Sequence, residues 1–487
     1  MKIINYRRSF AANSSSTHST FFVEEPRNVI ERIYDSFRFG WEPFVLKSKP
    51  MVDRYIAAQI KSCLNDTLPK ELQLAFINEV IPSASIVMEE LDELEIDHQS
   101  VWGFPYDYHT VPTVLPSMDF VKDLVKYLHS KNTVIYGGND NSEYCIDIDC
   151  KYTESSAVSS LMSVNSSYSD KYVCVKDTDN NFWTLINKED GERIIISFDD
   201  NCSTPTKSSI PLLVDLIISD RCYNSCPYCY RNCNQNGGIA SIGAINNYLE
   251  ALYDLGVMEV AIGGGDILTY PYLDELLDIV RKFREKNMII NTTLAVHSSA
   301  VCSNRIKDYS IRQIVDTFNS VAFSVQNGYH YSRVKKYLNK TSSIQLIPEL
   351  MKDYEHRQLS ELLRAEPNLV TTTFLGFKET GRASDRSYLE NNERIIKKNR
   401  EEFKKWICMY QRECTINVDT QLIKNIPAIK DELKPWMYNE FEGSFSCCIN
   451  AINDTIMKSS YDYNCVYPLG TDMFRFTQSI ADNYKNL

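Results

Sequence analysis

Residues Pro211 to Cys229 read PLLVDLIISDRCYNSCPYC. The apolar run from Leu212 to Ile218 has the length and branched content of a buried strand. It empties into a polar loop that carries Cys222, Cys226 and Cys229, at the spacing C-x3-C-x2-C. Three thiolates on one short loop can hold three irons of a cubane [4Fe–4S] cluster, because soft sulfur ligands suit iron–sulfur centres. The fourth iron then has no protein ligand and stays open to another molecule. A structural zinc knuckle is the competing reading. Zinc asks for a fourth nitrogen or sulfur ligand, and Cys233 stands close enough in sequence to supply it.

The setting of the loop favours the first reading. Tyr228 stands just ahead of the third cysteine, and a second apolar run ends in glycines further on: EVAIGGGDILTYP, Glu259 to Pro271. A glycine-rich strand end is by itself only a tight turn or a place of close backbone approach. Together the two motifs resemble the radical S-adenosylmethionine (radical SAM) superfamily. Its members carry C-x3-C-x2-C after the first strand of a barrel, an aromatic residue before the last cysteine, and a GGE-type motif at the end of the second strand. The likeness runs from about Pro211 to Lys405.

The resemblance implies an enzyme built on a partial (β/α)6 TIM-like barrel. Cys222, Cys226 and Cys229 would be the cluster ligands. S-adenosylmethionine would chelate the open iron through its amino and carboxylate groups. One electron from an external donor, such as a flavodoxin or ferredoxin, would cleave it to methionine and a 5′-deoxyadenosyl radical, which takes hydrogen from a substrate. Gly264 and Gly265 would let backbone approach the cofactor's amino group. Asp266 stands where the family has Glu, one methylene shorter. Tyr228 would flank the adenine, or pack as a loop aromatic on the barrel. Ser324 resembles a polar residue of strand four near the nucleoside. Apart from an enzyme, a non-catalytic scaffold or sensor binding an Fe–S cluster or zinc is the other class the motifs allow.

Composition narrows the partners. The chain has 487 residues, 43% hydrophobic and 24% charged, ordinary values for a globular protein. A formal charge of −12 argues against a nucleic-acid partner, which needs a basic surface. No run approaches the ~18 consecutive apolar residues of a membrane span. The opening segment MKIINYRRSFAANSSSTHSTFF lacks the apolar core of a signal peptide. These features point to the cytoplasm, where thiols stay reduced. The 15 cysteines then read as cluster ligands and small buried hydrophobes rather than disulfides.

Pattern changes along the chain suggest three parts: an α+β accessory domain at 1–205, the partial barrel at 206–400, and a small C-terminal extension at 401–487. The first 25 residues read as a peripheral lead-in. Val29, Ile30, Ile33, Tyr34 and Phe37 recur at helical spacing, as do Tyr55, Ile56, Ile60 and Leu64, and Val121, Leu124, Val125 and Leu128. Strands are expected at Thr133–Tyr136, Cys145–Cys150, Lys171–Lys176, Phe182–Asn187 and Glu192–Phe198. The carboxylates of Asp147, Asp149, Asp199 and Asp200 read as solvent-facing rather than metal-binding. Asn201 to Ser209 reads as the linker.

Strands and helices then alternate as in a parallel α/β sheet. The six strands are Leu212–Ser219, Met258–Ile262, Met288–Val296, Ser320–Val325, Ser343–Ile347 and Leu369–Phe377. Helix one should stop at Gly256, and helix three should open on a capping box, Ser310-x-x-Gln313. In such barrels the chemistry gathers at the C-terminal ends of the strands. Thr292, Thr293, His297, Ser324 and Gln326 share that mouth, with His297 a candidate proton donor or a structural histidine. Lys378 and Arg382, in GFKETGRA after strand six, could bind a substrate anion or lie in a solvated loop.

Peptide-modifying members of the family bind further clusters in a Cys-rich tail. Here Cys408, Cys414, Cys447, Cys448 and Cys465 include no C-x2-C pair, and FSCCINAIND reads as a buried strand. The substrate has no sequence signature; a peptide or protein is one candidate class.

Overall fold

A computed structural model describes residues 2–7, 21–23, 30–42, 44–64, 69–97, 106–107, 118–130, 134–137, 172–188, 191, 193–197, 206–296, 308–339, 341–364, 371–411, 415–432, 438, 441–470 and 476–487. The chain forms two compact units. One comprises Met1–Ile4, Ala12–Asn187 and Ile194–Ser203; the other comprises Asn5–Ala11, Lys188–Arg193 and Thr204–Leu487.

The first unit is α+β. Its helices are Lys49–Leu64, Lys70–Val80, Met88–Glu93 and Met118–Ser130. Phe21–Val23 and Phe44–Leu46 flank Val134–Gly137 in an antiparallel sheet. Tyr172–Asp177 and Phe182–Asn187 form the expected antiparallel pair.

Two readings of this region need correction. The first 25 residues are more than a peripheral lead-in, since they contain the strands Lys2–Arg7 and Phe21–Val23. The helical spacing from Val29 to Phe37 does not make a helix. Arg32 instead exchanges backbone hydrogen bonds with Val45, at 2.9 and 2.7 Å, while Ile30 and Tyr34 stand 72% and 77% exposed. Tertiary pairing has overridden a local period. The readings at Cys145–Cys150, Asp147, Asp149, Asp199 and Asp200 lie outside the described residues.

The second unit is built on β1 (Leu213–Ser219), α1 (Ile242–Leu255), β2 (Glu259–Gly264), α2 (Leu273–Glu285), β3 (Ile289–Leu294), α3 (Asp308–Thr317), β4 (Ser320–Ser324), α4 (Gly328–Val334), β5 (Ser343–Leu346), α5 (Asp353–Arg364) and β6 (Thr371–Phe374). It continues through α6 (Arg386–Glu401), α7 (Phe403–Gln411), β7 (Thr415–Val418), α8 (Thr420–Asn425), β8 (Ser446–Asn450), β9 (Thr455–Met457), β10 (Val466–Pro468) and α9 (Phe476–Asn486).

Local signals explain several boundaries. Ser241 caps α1 by accepting from the Ala244 N–H, a contact that contributes about 1 kcal/mol. The helix ends at Gly256 in the left-handed region, with φ 86°. Helix α4 was not foreseen; Asn327 caps it by accepting from the His330 N–H. The expected capping box at Ser310 is not one. Helix α3 already runs from Asp308, so Ser310 sits inside it.

The strands join in one open sheet, ordered β7-β6-β5-β4-β3-β2-β1-β8-β9-β10. Strands β1 to β8 pair in parallel, and β9 and β10 add an antiparallel edge. This is a mostly parallel, unclosed α/β barrel sheet. Strands from after residue 401 enter it: β7 pairs with β6, and β8 pairs with β1.

Alternation fixes the two faces. Val214, Leu216 and Ile218 on β1 point into the large helix-covered core, as do Val260 and Ile262 on β2 and Val321 and Phe323 on β4. Full burial of each such side chain contributes roughly 1.5–3 kcal/mol. The alternate residues line the inner face. Among the described residues no helix is long and apolar enough to cross a membrane.

Candidate functional site

The loop after β1 is folded back on itself. Asp220 N–H donates to Gly238 O at 2.8 Å, and Cys222 N–H donates to Asn234 O at 2.9 Å. The Arg231 guanidinium pairs with Asp220 at 2.5 Å. Cys222, Cys226 and Cys229 all have free thiols; Cys222 is buried, whereas Cys226 and Cys229 are half-buried.

The end of β2 is latched to this loop. Gly265 N–H donates to Ser219 O at 2.6 Å, and Asp266 N–H donates to Arg221 O at 3.0 Å. The glycines of GGGD have a packing reason as well as any cofactor reason. A Cβ on Gly264, whose φ is +133°, would lie 2.0 Å from Ser219 O, and one on Gly265 would lie 2.2 Å from Arg221 O. Only backbone without side chains can lie so close. A Cβ on Gly263 meets nothing within 4 Å, so of the three it is Gly263 that faces open space.

A third segment closes over the loop from the far side. The Arg382 N–H donates to Cys229 O at 2.9 Å, its Nε donates to Cys226 O at 3.0 Å and its Nη1 donates to Cys233 O at 2.7 Å. Gly381, at φ +60°, lets this segment approach, because a Cβ there would sit 2.4 Å from Tyr230 O. Arg382 therefore clamps the cysteine loop, and its fork of donors is spent on loop carbonyls. Lys378 is committed too. It pairs with Asp419 at 3.0 Å and lies over the rings of Tyr230 and Tyr461, at 5.3 and 5.0 Å. Neither residue is a free anion-binding cation.

The thiols are not alike. Hydrogen bonding from the Cys233 thiol, helped by the backbone N–H groups of Cys233 and Arg231, pulls the Cys229 thiol well below its ordinary value. Burial pushes the Cys222 thiol up to about 12, opposed by the Asn224 N–H that donates to its sulfur at 3.3 Å. Burial also raises Cys226. A coordinated metal deprotonates such thiols outright. Sulfur ligands supplied with N–H donors on one loop are the donor set an Fe–S cluster uses. Among the described residues no three His, Cys, Asp or Glu side chains converge on a single metal ion.

Asp266 lies beside this loop, close enough for its charge to act on Cys222. It is 3% exposed, its Oδ1 accepts from the Leu268 N–H at 3.2 Å, and its Oδ2 is buried with no partner among the described residues. Burial lifts its carboxyl to about 7. An orphaned, buried acceptor at the end of β2 suits a cationic donor such as an amino group. Tyr228 packs against the cluster of Phe377, Ala383 and Ile396. Ser324 is half-buried at the end of β4. Thr292 donates to Ile262 O at 2.8 Å, and the Gln326 side chain accepts from the Ile347 N–H at 3.0 Å, so both serve the fold. His297 and Cys414 lie outside the described residues.

Residues 216–380 match the model of the radical SAM superfamily. The antilisterial bacteriocin subtilosin biosynthesis protein AlbA of Bacillus subtilis (strain 168) is 32% identical over 87 residues, 18% of this chain. The match spans only 19% of that relative's length. Among solved structures, Streptococcus suis SuiB bound to S-adenosylmethionine is similar at 16% identity and a TM-score of 0.41, over 60% of this chain and 82% of that one. SuiB bound to the precursor peptide SuiA gives 13% identity and a TM-score of 0.40 over the same shares. Members of the matched superfamily are enzymes that use a [4Fe–4S] cluster and S-adenosylmethionine. By this match, residues 216–380 are a radical SAM domain.

Proposed function

We propose that the chain is a radical SAM enzyme in which Cys222, Cys226 and Cys229 hold one [4Fe–4S] cluster. The observation that carries this is a loop of three free thiols pinned at the end of β1, with the orphaned Asp266 Oδ2 next to it. When bound, the cluster supplies the electron that cleaves S-adenosylmethionine to methionine and a 5′-deoxyadenosyl radical, which takes hydrogen from the substrate.

The chain's own residues do the rest. Arg382 and the backbone of Ser219 and Arg221 fix the loop. Asp266 Oδ2 accepts from the cofactor's amino group, a contact its burial would strengthen. Gly263, facing open space, leaves room along β2, and Ser324 at the end of β4 would help hold the nucleoside. For Tyr228 the packing against Phe377 and Ala383 favours a role in holding the loop over direct contact with the adenine.

The substrate proposed is a peptide or protein, supported by the relative AlbA, a bacteriocin biosynthesis protein. An external one-electron donor of the flavodoxin or ferredoxin kind, a cytoplasmic setting and an accessory role for residues 1–205 belong to the same proposal, with 206–400 as the barrel and 401–487 as its extension. The test is direct. Anaerobically reconstituted protein with dithionite and S-adenosylmethionine should form 5′-deoxyadenosine and methionine. Formation of S-adenosylhomocysteine alone, under any reductant, would overturn the reading.

A further inference from the structure

Part of the inner face of the sheet is polar and partly exposed, beside an apolar patch of Ile217, Cys448 and Met457. Asp215, Ala261, Asn291, Thr293, Ser343 and Gln345 alternate with core residues and are each partly exposed, whereas their outward-facing neighbours are buried. A closed α/β barrel fills this space with bulky branched side chains. Here the wall offers hydrogen-bonding groups to whatever enters, as ligand sites do.

Asp215 stands out on that wall. No hydrogen bond or ion pair joins its carboxylate to a described residue. Its partners in register are Ala261 on one side and Cys448 on the other, neither of which carries a charge to match it. Three charged groups act on it: Glu442, Lys378 and Glu259. Each is already engaged: Lys378 pairs with Asp419, Glu259 lies 4.0 Å from Arg193 and Glu442 lies 4.0 Å from Lys424, so none is left as a partner for Asp215. Asn291 stands in register with Ala261, one strand further along. Its Nδ2 donates to Glu259 Oε1 at 2.8 Å. A carboxylate only accepts, so this bond fixes the amide's orientation. The Asn291 Oδ1 that remains is buried and has no partner among the described residues.

Two acceptors without donors among the described residues thus flank one small residue in a single row. We propose that this wall recognises a positively charged group of the substrate, an ammonium or guanidinium, with Asp215 as counter-charge and Asn291 Oδ1 as second acceptor. As a statement about the substrate, this rests on the function proposed above. A neutral group would leave Asp215 uncompensated, and an anion would meet its carboxylate; only a cation gains a charge-assisted bond.

The test uses the reconstituted full chain and ligand-observed NMR with four probes: the amides of Nα-acetyl-lysine, Nα-acetyl-arginine, Nα-acetyl-norleucine and Nα-acetyl-glutamate. The lysine and arginine probes should bind at least about tenfold tighter than norleucine, the scale of one charge-assisted hydrogen bond. Asp215→Asn should abolish that preference and Asn291→Leu should weaken it, both with iron content unchanged. Equal binding of norleucine, preference for glutamate, no binding of either cation, or an undiminished preference in Asp215→Asn would each overturn the proposal. If Asp215→Asn does not fold, the probe ranking in the unaltered chain and the Asn291→Leu variant decide it. Failure to form 5′-deoxyadenosine with the cation preference intact would count against the radical chemistry and not against this site.

Discussion

Two sets of cysteines lie near one strand, one past its end and one along its edge, and their surroundings set them apart. Cys222, Cys226 and Cys229 follow the end of β1 on a polar loop, where N–H groups reach their sulfurs. Cys447 and Cys448 lie in β8, which pairs with β1 from the other side, and are 1% and 0% exposed. Burial, helped by the charge of Asp215, raises both strand thiols well above the ordinary value. The same residue type is therefore suited to ligation where donors and access surround it, and is a small hydrophobe where packing does. Count and spacing within the sequence hint at this difference; the hydrogen-bond environment decides it.

The largest expected effect would break the comparison if it failed. Cys226→Ala should abolish the broad charge-transfer absorbance of thiolate-bound iron in the reconstituted protein, while Cys448→Ala should keep full iron and lose only packing, about 1–2 kcal/mol of stability. Iron retained in the first variant, or lost in the second, would merge the two sets.

A smaller effect probes how the loop is held. Arg382→Ala removes donors to Cys226 O and Cys233 O while leaving every thiol in place. Loss of buried hydrogen bonds of this kind costs about 1–3 kcal/mol, so iron should leave to a chelator about tenfold faster or more. The strand thiols should be unaffected. An unchanged release rate would show that the clamp has no bearing on the loop.

How much of this was legible before the structure follows the same division. Helices and strands of the second unit followed their periods because each buries one face in a common core. The loop announced itself by spacing. Three things did not. The place of β8 beside β1 is a pairing between distant segments, with no local signal. The spacing from Val29 to Phe37 mimicked a helix, but Arg32 had a better backbone partner in Val45. Arg382 read as a free cation, because only the fold shows that its fork meets the carbonyls of Cys226 and Cys233. The glycines of the β2 end were legible as a close approach, though to Ser219 and Arg221 backbone rather than to a ligand alone.

The smallest predicted effect is a pH dependence of the strand pair. Their folded-state pKa values are raised, so above the ordinary thiol value of 9 the unfolded chain ionises while the folded one stays neutral. The folded state then binds more protons, and stability falls as pH rises past 9. Thermal melting should decline between neutral and alkaline pH, and Cys447→Ala should blunt the decline. An equal decline in that variant would assign it to other groups.

The central claim is a cluster on three thiols with one iron left open. The most direct test is the electron paramagnetic resonance spectrum of the dithionite-reduced protein, recorded before and after S-adenosylmethionine is added. The account predicts a reduced [4Fe–4S] signal whose g-values shift on addition, because the open iron gains ligands. A signal that does not respond to S-adenosylmethionine, or stoichiometric zinc in place of iron, would contradict it.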